Sequence, residues 1–201
     1  MSETSAPAPD PAVGLIEFSS IAAGIMTGDA MVKASPIGSI YAGTVHPGKY
    51  LVLVSGDTAS VEEALGRGGE VAGDAHIATL FLPDIHPAVT GAIVSGADTA
   101  WGEDEALGIV ETATVAAVIR AADAGVKAAN VEVGAVRLAD GLGGKGYVLF
   151  FGVVAEVEAA MEAAIDRAED ALVAHRTIPQ LHPSMAENLG RDLKFMARVE
   201  A

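Results

Sequence analysis

Two kinds of hydrophobic pattern follow one another along this chain. Short apolar runs are typical of β-strands, and longer segments with apolar residues at every third or fourth position are typical of helices. The runs "VGLIEF", from Val13, and "LGIVET", from Leu107, have the length and apolar character of buried β-strands. After the first run, Ile21, Ile25, Gly28 and Val32 recur at three- and four-residue spacing, which predicts an apolar stripe on a helix. Continued along the chain, the pattern predicts strand, helix, strand, strand, helix, strand and helix, and then the same order again.

Polar residues in front of the predicted helices supply their start signals. Hydroxyl side chains at positions 19–20, 112 and 114 can cap the first helix of each half. Ser60-x-x-Glu63 predicts a capping box that opens the second helix of the first half. The His-Pro pairs at 86–87 and 182–183 predict the start of a final helix in each half.

The two halves of this pattern are copies of one another. Without a gap, the segment 12–37 is identical to the segment 106–131 at 11 of 26 positions, including Glu17/Glu111 and Asp29/Asp123. After a two-residue difference in length, "GKYLVLVSG" lies over "KGYVLFFGV" near the same register, and "LPDIHP" lies over "IPQLHP". Agreement at this many separate places indicates an internal repeat, so each half is expected to fold into the same small domain.

The repeat divides the chain into two domains and three connecting or terminal segments. We expect a disordered Pro- and Ala-rich tail over 1–11 and a C-terminal tail over 195–201, which flank domain 1 over 12–96 and domain 2 over 106–194. An acidic linker is expected between the domains, over 97–105.

The composition of the chain excludes several classes of binding partner and site. The chain has 201 residues and a formal net charge of −15, which does not suit binding to a nucleic-acid backbone. No apolar run is long enough to span a membrane, and the N-terminus lacks the features of a secretion signal. The absence of Cys excludes disulfides and thiolate metal sites and fits a cytoplasmic protein.

Two turns carry the only residues that invite a chemical interpretation. "GLGGKG", from Gly141 to Gly146, fails as a phosphate-binding loop because Ala139 and Gly146 stand where such a loop needs Gly and Ser or Thr. In the matching turn of the first half, His46 precedes Pro-Gly-Lys. From its position alone, His46 can be a turn residue, a catalytic base, a metal ligand or a pH-sensitive lining group. No known hydrolase or dinucleotide motif is present, so nothing in the chain proposes an enzyme.

Taken together, these motifs resemble one known family. "GIVET", "AADAGVKAANV", a Gly-rich turn followed by an apolar strand, and a terminal "IPQLHP" form the pattern of the bacterial microcompartment (BMC) shell domain. Two copies in one chain resemble the tandem-domain, trimer-forming shell proteins, and most of all those of propanediol-utilisation compartments. The resemblance implies an α/β fold (α+β, ferredoxin-like) with two tandem BMC domains, each an antiparallel-rich sheet flanked by helices.

The resemblance also implies a structural function and an assembly. Such a protein forms a homotrimeric, pseudohexameric tile that joins other shell proteins edge to edge in the cytoplasm and passes small metabolites through a central pore. The turns between the second and third strands of each domain would line that pore, which assigns to it His46, Pro47, Gly48, Lys49, Gly141, Leu142, Gly143, Gly144 and Lys145.

Residues on the edge of the tile follow from the same resemblance. The family places a Lys there, which corresponds to Lys33 and Lys127 in this sequence. The usual partner is an Arg in a terminal "PRPH" motif, but Asp84 and Gln180 stand near its place, followed by His86 and His182. Because this Arg is missing, the strength and geometry of the contact between neighbouring tiles are expected to differ from those of the family.

According to this resemblance, whether the protein binds a cofactor depends on His46. Propanediol-utilisation members have Cys at the matching turn position, and three such Cys hold an iron–sulfur cluster; with no Cys here, no such cluster is expected. Three imidazoles on a three-fold axis could instead bind a divalent metal ion, so a tile with a metal or redox centre stays an alternative. A metabolite-binding regulator of ferredoxin-like topology is the other alternative.

Overall fold

The computed structural model describes residues 12–95 and 105–189 and contains two successive sets of four strands and three helices. The predicted tails over 1–11 and 195–201 lie outside the described residues, as does the predicted linker except for Glu105. The first set comprises β1 Ala12–Phe18, α1 Ile21–Ala34, β2 Ser39–Val45, β3 Lys49–Gly56, α2 Thr58–Ala72, β4 His76–Leu82 and α3 Pro87–Ser95. The second set comprises β5 Ala106–Thr112, α4 Val115–Ala128, β6 Glu132–Leu138, β7 Gly146–Gly152, α5 Val154–Ala168, β8 Leu172–Ile178 and α6 Pro183–Leu189.

Each set forms a four-stranded sheet, and the two sheets have the same topology. Their strand orders are β2-β3-β1-β4 and β6-β7-β5-β8. The strand that opens each repeat lies in the middle and pairs antiparallel with both neighbours; Gly14 lies opposite Val54, and Gly108 lies opposite Phe150. The predicted fold class and the predicted order of elements are therefore confirmed.

Two compact units divide the chain at points that differ from the repeat boundary. One unit holds the chain up to Thr44 together with Tyr50–Ile85. The other holds Val45–Lys49 and the chain from His86 onward, so it includes the β2–β3 turn and α3 as well as the second repeat. Elements of the first repeat therefore complete the second unit.

Small residues let the helices of each unit lie close to the sheet. In the first unit, α1 and α2 cover one face around a core that contains Ile16, Val52 and Leu65. In the second unit, Gly108 on β5 faces α5, where an added Cβ would lie 2.7 Å from the Met161 sulfur. Alternate residues of a strand face opposite sides, so Leu107 faces away from α5 and packs with Phe151, Leu181 and Ala186.

The helix starts agree with the sequence in part. Ser20 and Thr114 are the N-caps of α1 and α4 and accept hydrogen bonds from the backbone N–H groups of Ala23 and Ala117. The predicted capping box at Ser60 is wrong, because α2 already begins at Thr58 and Asp57 is its N-cap. A carboxylate one turn earlier takes the capping role that was expected of the hydroxyl.

The matching position before α5 offers a stabilising substitution. Asp57 accepts a hydrogen bond from the Ser60 N–H at 3.0 Å, and hydrogen bonding by Ser60 holds the pKa of Asp57 below its usual value of 3.8. Val153 occupies the N-cap of α5 with similar backbone angles but no capping side chain. We expect Val153→Asp to raise the free energy of unfolding by about 1 kcal/mol at neutral pH, measured by urea denaturation.

Acid provides the control for this substitution. A carboxylate whose pKa is lower in the folded state stabilises the fold above its unfolded pKa and loses that effect as the pH falls through the folded pKa. The gain from Val153→Asp should therefore disappear in acid below the usual Asp pKa, whereas Val153→Asn should keep its gain there. A gain for the Asp variant that does not change with pH would contradict capping as its cause.

Candidate functional site

Two sharp turns lie together in the second unit, and both were predicted to line a pore. The first joins β2 to β3 through His46, Pro47 and Gly48, and the second joins β6 to β7 through residues 139–145. Gly48 has a φ of 94°, and Gly141, Gly143 and Gly144 have φ values of 73°, 64° and 88°. These left-handed conformations explain the glycines, because residues with a Cβ adopt them at an energetic cost.

Side chains from the two turns contact one another. The His46 Nδ1 lies 3.0 Å from the Asp140 Oδ1, and the Lys49 ammonium donates a hydrogen bond to the Gly144 carbonyl at 3.4 Å. A Cβ at Gly144 would lie 3.0 Å from the Pro47 Cδ, so this close approach also needs glycine. The structure thus brings the two predicted turns into one cluster, which we call the turn cluster.

The turn cluster presents paired charges at its surface. His46 and Asp140 are both largely exposed, and Lys145 forms an ion pair with Glu111 at 2.6 Å between its Nζ and the Glu111 Oε1. Exposed pairs of this kind contribute little to stability because water screens them. Their effect is to place both signs of charge beside the glycine-rich backbone, an arrangement suited to contacting polar solutes.

Asp140 and Glu111 were missed as site residues from the sequence. Glu111 lies near the end of β5 and could have been found from its identity with Glu17 in the repeat. Asp140 carries no such signal, because the two turns differ in length and it lies beside His46 only in the folded chain.

Metal ligation at His46 finds no support within one chain. No group of three or more His, Asp or Glu side chains that could hold a metal ion occurs in residues 12–95 and 105–189. His46 and Asp140 supply two donors, whereas a structural zinc site has four protein ligands and a catalytic one has three.

The predicted tile-edge residues are near the starts of α3 and α6 and in the last turns of α1 and α4. Lys33 pairs with Asp29 at 2.5 Å, and Lys127 pairs with Asp123 at 2.7 Å, one helical turn away in each case. The other four predicted edge residues precede the last helix of their repeat, and three of them are exposed: Asp84, Gln180 and His182.

His86 and His182 act at the starts of the last helices. The Nδ1 of His86 accepts a hydrogen bond from the Ala88 N–H, and that of His182 accepts one from the Ser184 N–H, each at 3.2 Å. The two positions differ in one further contact: the His86 backbone N–H donates to the Asp123 carboxylate at 2.8 Å. The repeated Asp29/Asp123 pair was the sequence signal for this contact, although neither residue was singled out as a site residue.

Comparisons with known proteins agree on one kind of relative. A family model described as the BMC domain matches residues 12–85 and again residues 106–181. The bacterial microcompartment shell protein PduT from Citrobacter freundii is 42% identical over 176 residues, which cover 87% of this chain and 95% of that protein.

Solved structures give the same result. The crystal structure of a microcompartment protein from Desulfitobacterium hafniense DCB is similar with a TM-score of 0.75 and 37% identity, covering 88% of this chain and 98% of that one. A fused permuted hexameric shell protein from the RMM microcompartment shares the fold, with a TM-score of 0.60 and 21% identity over 82% of this chain and 84% of its own. Among the described residues, no helix combines the length and apolar character needed to cross a membrane.

Proposed function

Because this chain belongs to the family of tandem-domain bacterial microcompartment shell proteins, we propose that three copies close into a ring of six BMC domains that serves as a shell tile. The ring is a structural element rather than an enzyme. Its edges join those of other shell proteins, and its centre is a pore for small metabolites.

The contact between His46 and Asp140 is the observation that carries this proposal. In a closed ring of related domains, equivalent turns all lie at the same distance from the axis, and the turns of neighbouring domains meet. The β2–β3 turn belongs to one domain and the β6–β7 turn to the next, and their side chains approach to 3.0 Å. One chain therefore already contains one of the neighbour contacts that such a ring repeats.

The same turns would form the lining of the central pore. Three turn clusters around a three-fold axis would place His46, Asp140, Lys49 and Lys145 near the opening, with both signs of charge present. Gly141 and Gly143 are exposed and nothing lies within 4 Å of an added Cβ, so their backbone is uncovered by side chains, which suits passage of small polar metabolites.

Mass measurement and electron microscopy of the purified protein test the proposal together. We expect a species of three 20.3 kDa chains in solution and flat tiles with a central opening in projection averages. Mixing with single-domain shell partners should give extended sheets or closed shells. A monomer or dimer that binds a metabolite tightly and forms no assemblies would overturn the proposal and favour the regulatory alternative.

A further inference from the structure

An apolar surface of the first unit is formed by α1 and the edge strand β2. Of the predicted stripe of Ile21, Ile25, Gly28 and Val32, only Gly28 is buried, together with Gly24, Thr27 and Met31, and the other three residues are exposed. We name this surface the α1–β2 face and define it by the exposed residues Ile21, Ile25, Val32 and Ile40.

The α1–β2 face also contains a shallow groove of about 190 Å³ between helix and strand, lined by Ile25, Gly28, Asp29, Val32 and Ile40. A groove with apolar walls and one carboxylate at its rim suits the end of a helix that offers an apolar side chain and a backbone N–H group. The face thus has the character of a docking site.

The second repeat shows the matching surface in its covered state. Ile25 is 55% exposed, whereas the aligned Ile119 on α4 is fully buried. The carboxylates follow the same rule, since the side chain of Asp29 is 59% exposed and that of Asp123 is 6% exposed.

Helix α3, the last helix of the first repeat, supplies part of that cover within the second unit. It packs on β6 and on α4, and Val89 in its first turn is fully buried. Just before the helix, the His86 N–H donates to Asp123 at 2.8 Å. The second unit therefore shows how a His-Pro helix docks on this type of face, through apolar side chains and one charge-assisted hydrogen bond.

Helix α6 has the same features but leaves them exposed. It begins with His182-Pro183 as α3 begins with His86-Pro87, and Met185 aligns with the buried Val89 but is 51% exposed. Leu181 and Ala186 hold the other side of α6 against the core of the second unit. Within the described residues, the second repeat thus has an exposed docking helix and the first repeat has an uncovered docking face.

We propose that α6 of one copy docks on the α1–β2 face of the next copy, with the His182 N–H donating to Asp29 and Met185 entering the groove. This inference rests on the proposed ring and names the contact that closes it. The contact is heterologous, since a helix of the second repeat meets a different surface, a face of the first repeat, and heterologous contacts generate rings when the rotation closes.

The contact between copies is more polar than the one within the chain. Glu187 and Asn188 of α6 stand where α3 has Gly91 and Ala92. A more polar contact that buries less apolar surface is weaker, so dilution should open the ring between chains while α3 stays docked within each chain.

Cysteine cross-linking tests the proposal directly, because the natural chain has no Cys. Asp29→Cys and His182→Cys place single thiols at the two sides of the contact. When the two single variants are mixed and oxidised mildly, we expect disulfide-linked dimers that neither variant forms alone. The double variant should form covalent trimers, seen on denaturing gels without reductant.

A charge placed in the groove is the second test. Met185→Glu should raise the protein concentration at which trimers dissociate by about a hundredfold, because it buries an unpaired carboxylate in the contact. Val94→Glu, at a highly exposed position on α3, is the matched control and should leave the trimer intact. Circular dichroism verifies that both variants keep their fold.

The outcomes separate this contact from the ring itself. If the wild-type chain is a trimer but Met185→Glu stays trimeric and the mixed thiols do not link, a different surface closes the ring and this proposal is wrong. If the wild-type chain forms no trimer at all, the proposed tile fails first.

Discussion

Replacing Asp123 with alanine is expected to lower the free energy of unfolding by about 2–3 kcal/mol. The Asp123 side chain is nearly buried and accepts hydrogen bonds from the Lys127 ammonium at 2.7 Å and from the His86 backbone N–H at 2.8 Å. Alanine removes the acceptor for both donors, and the loss is greater at the part-buried His86 N–H than at the Lys127 ammonium, whose side chain is 40% exposed to water. Hydrogen bonds to a charged group are the costlier kind to lose.

Urea denaturation at fixed protein concentration measures the effect of Asp123→Ala, since assembly would shift the apparent stability. Asp166→Ala, at an exposed position on α5, is the control and should change stability by less than about 0.5 kcal/mol. Asp123→Asn keeps one carbonyl acceptor and should lie between the two. If Asp123→Ala matches the control, the hydrogen bond from His86 is not what holds α3, and the proposed contact between copies loses its template.

Replacing Gly125 with methionine is expected to cost about 3 kcal/mol or more, because it overpacks the second core. Even a Cβ at Gly125 would lie 2.4 Å from the Phe150 Cζ, and Phe150 is fully buried. The first repeat solves the same packing problem differently, with Met31 aligned with Gly125 and Val54 aligned with Phe150. In the first repeat the larger side chain lies on helix α1, and in the second repeat it lies on strand β7.

A double substitution tests whether the side chains at positions 125 and 150 fill the same space in the core. Phe150→Val alone leaves a cavity and should cost about 2 kcal/mol or more. Combined with Gly125→Met it should recover part of both losses, with a coupling energy of about 1–3 kcal/mol from urea denaturation of all four proteins.

A second glycine provides the control for helix propensity. Gly69 lies within α2 with nothing within 4 Å of an added Cβ, so Gly69→Ala should raise stability by about 0.5–1 kcal/mol.

Additive losses for Gly125→Met and Phe150→Val would show that the two residues do not share one space.

The sequence predicted the fold well because its signals are local and occur twice. Ser20 and Thr114 precede apolar helical patterns, and each is an N-cap in the structure. Ser60 misled because Asp57, three residues earlier, is also a good capping residue, and spacing alone does not choose between two such residues.

The candidate site was predictable only in part. The glycines of the 139–145 turn announced a sharp turn, since their positive φ values suit no other residue as well. The partner of His46 was not predictable, because Asp140 lies far along the chain and only folding brings it to 3.0 Å. Both turns had been assigned to a pore through resemblance, and their contact is a property of the three-dimensional fold.

The orientation of α1 shows most clearly what the local sequence pattern does not predict. Periodicity identified Ile21, Ile25, Gly28 and Val32 as one stripe but did not say which of these residues face the sheet and which face the outside. The sheet side went to Gly24 and Gly28, because Tyr50 and Val52 approach too closely for larger residues. Apolar spacing and the repeat established which elements form and in what order, since these depend on neighbouring residues. Which face is buried, and which turn meets which, was decided by close packing between residues distant in the chain.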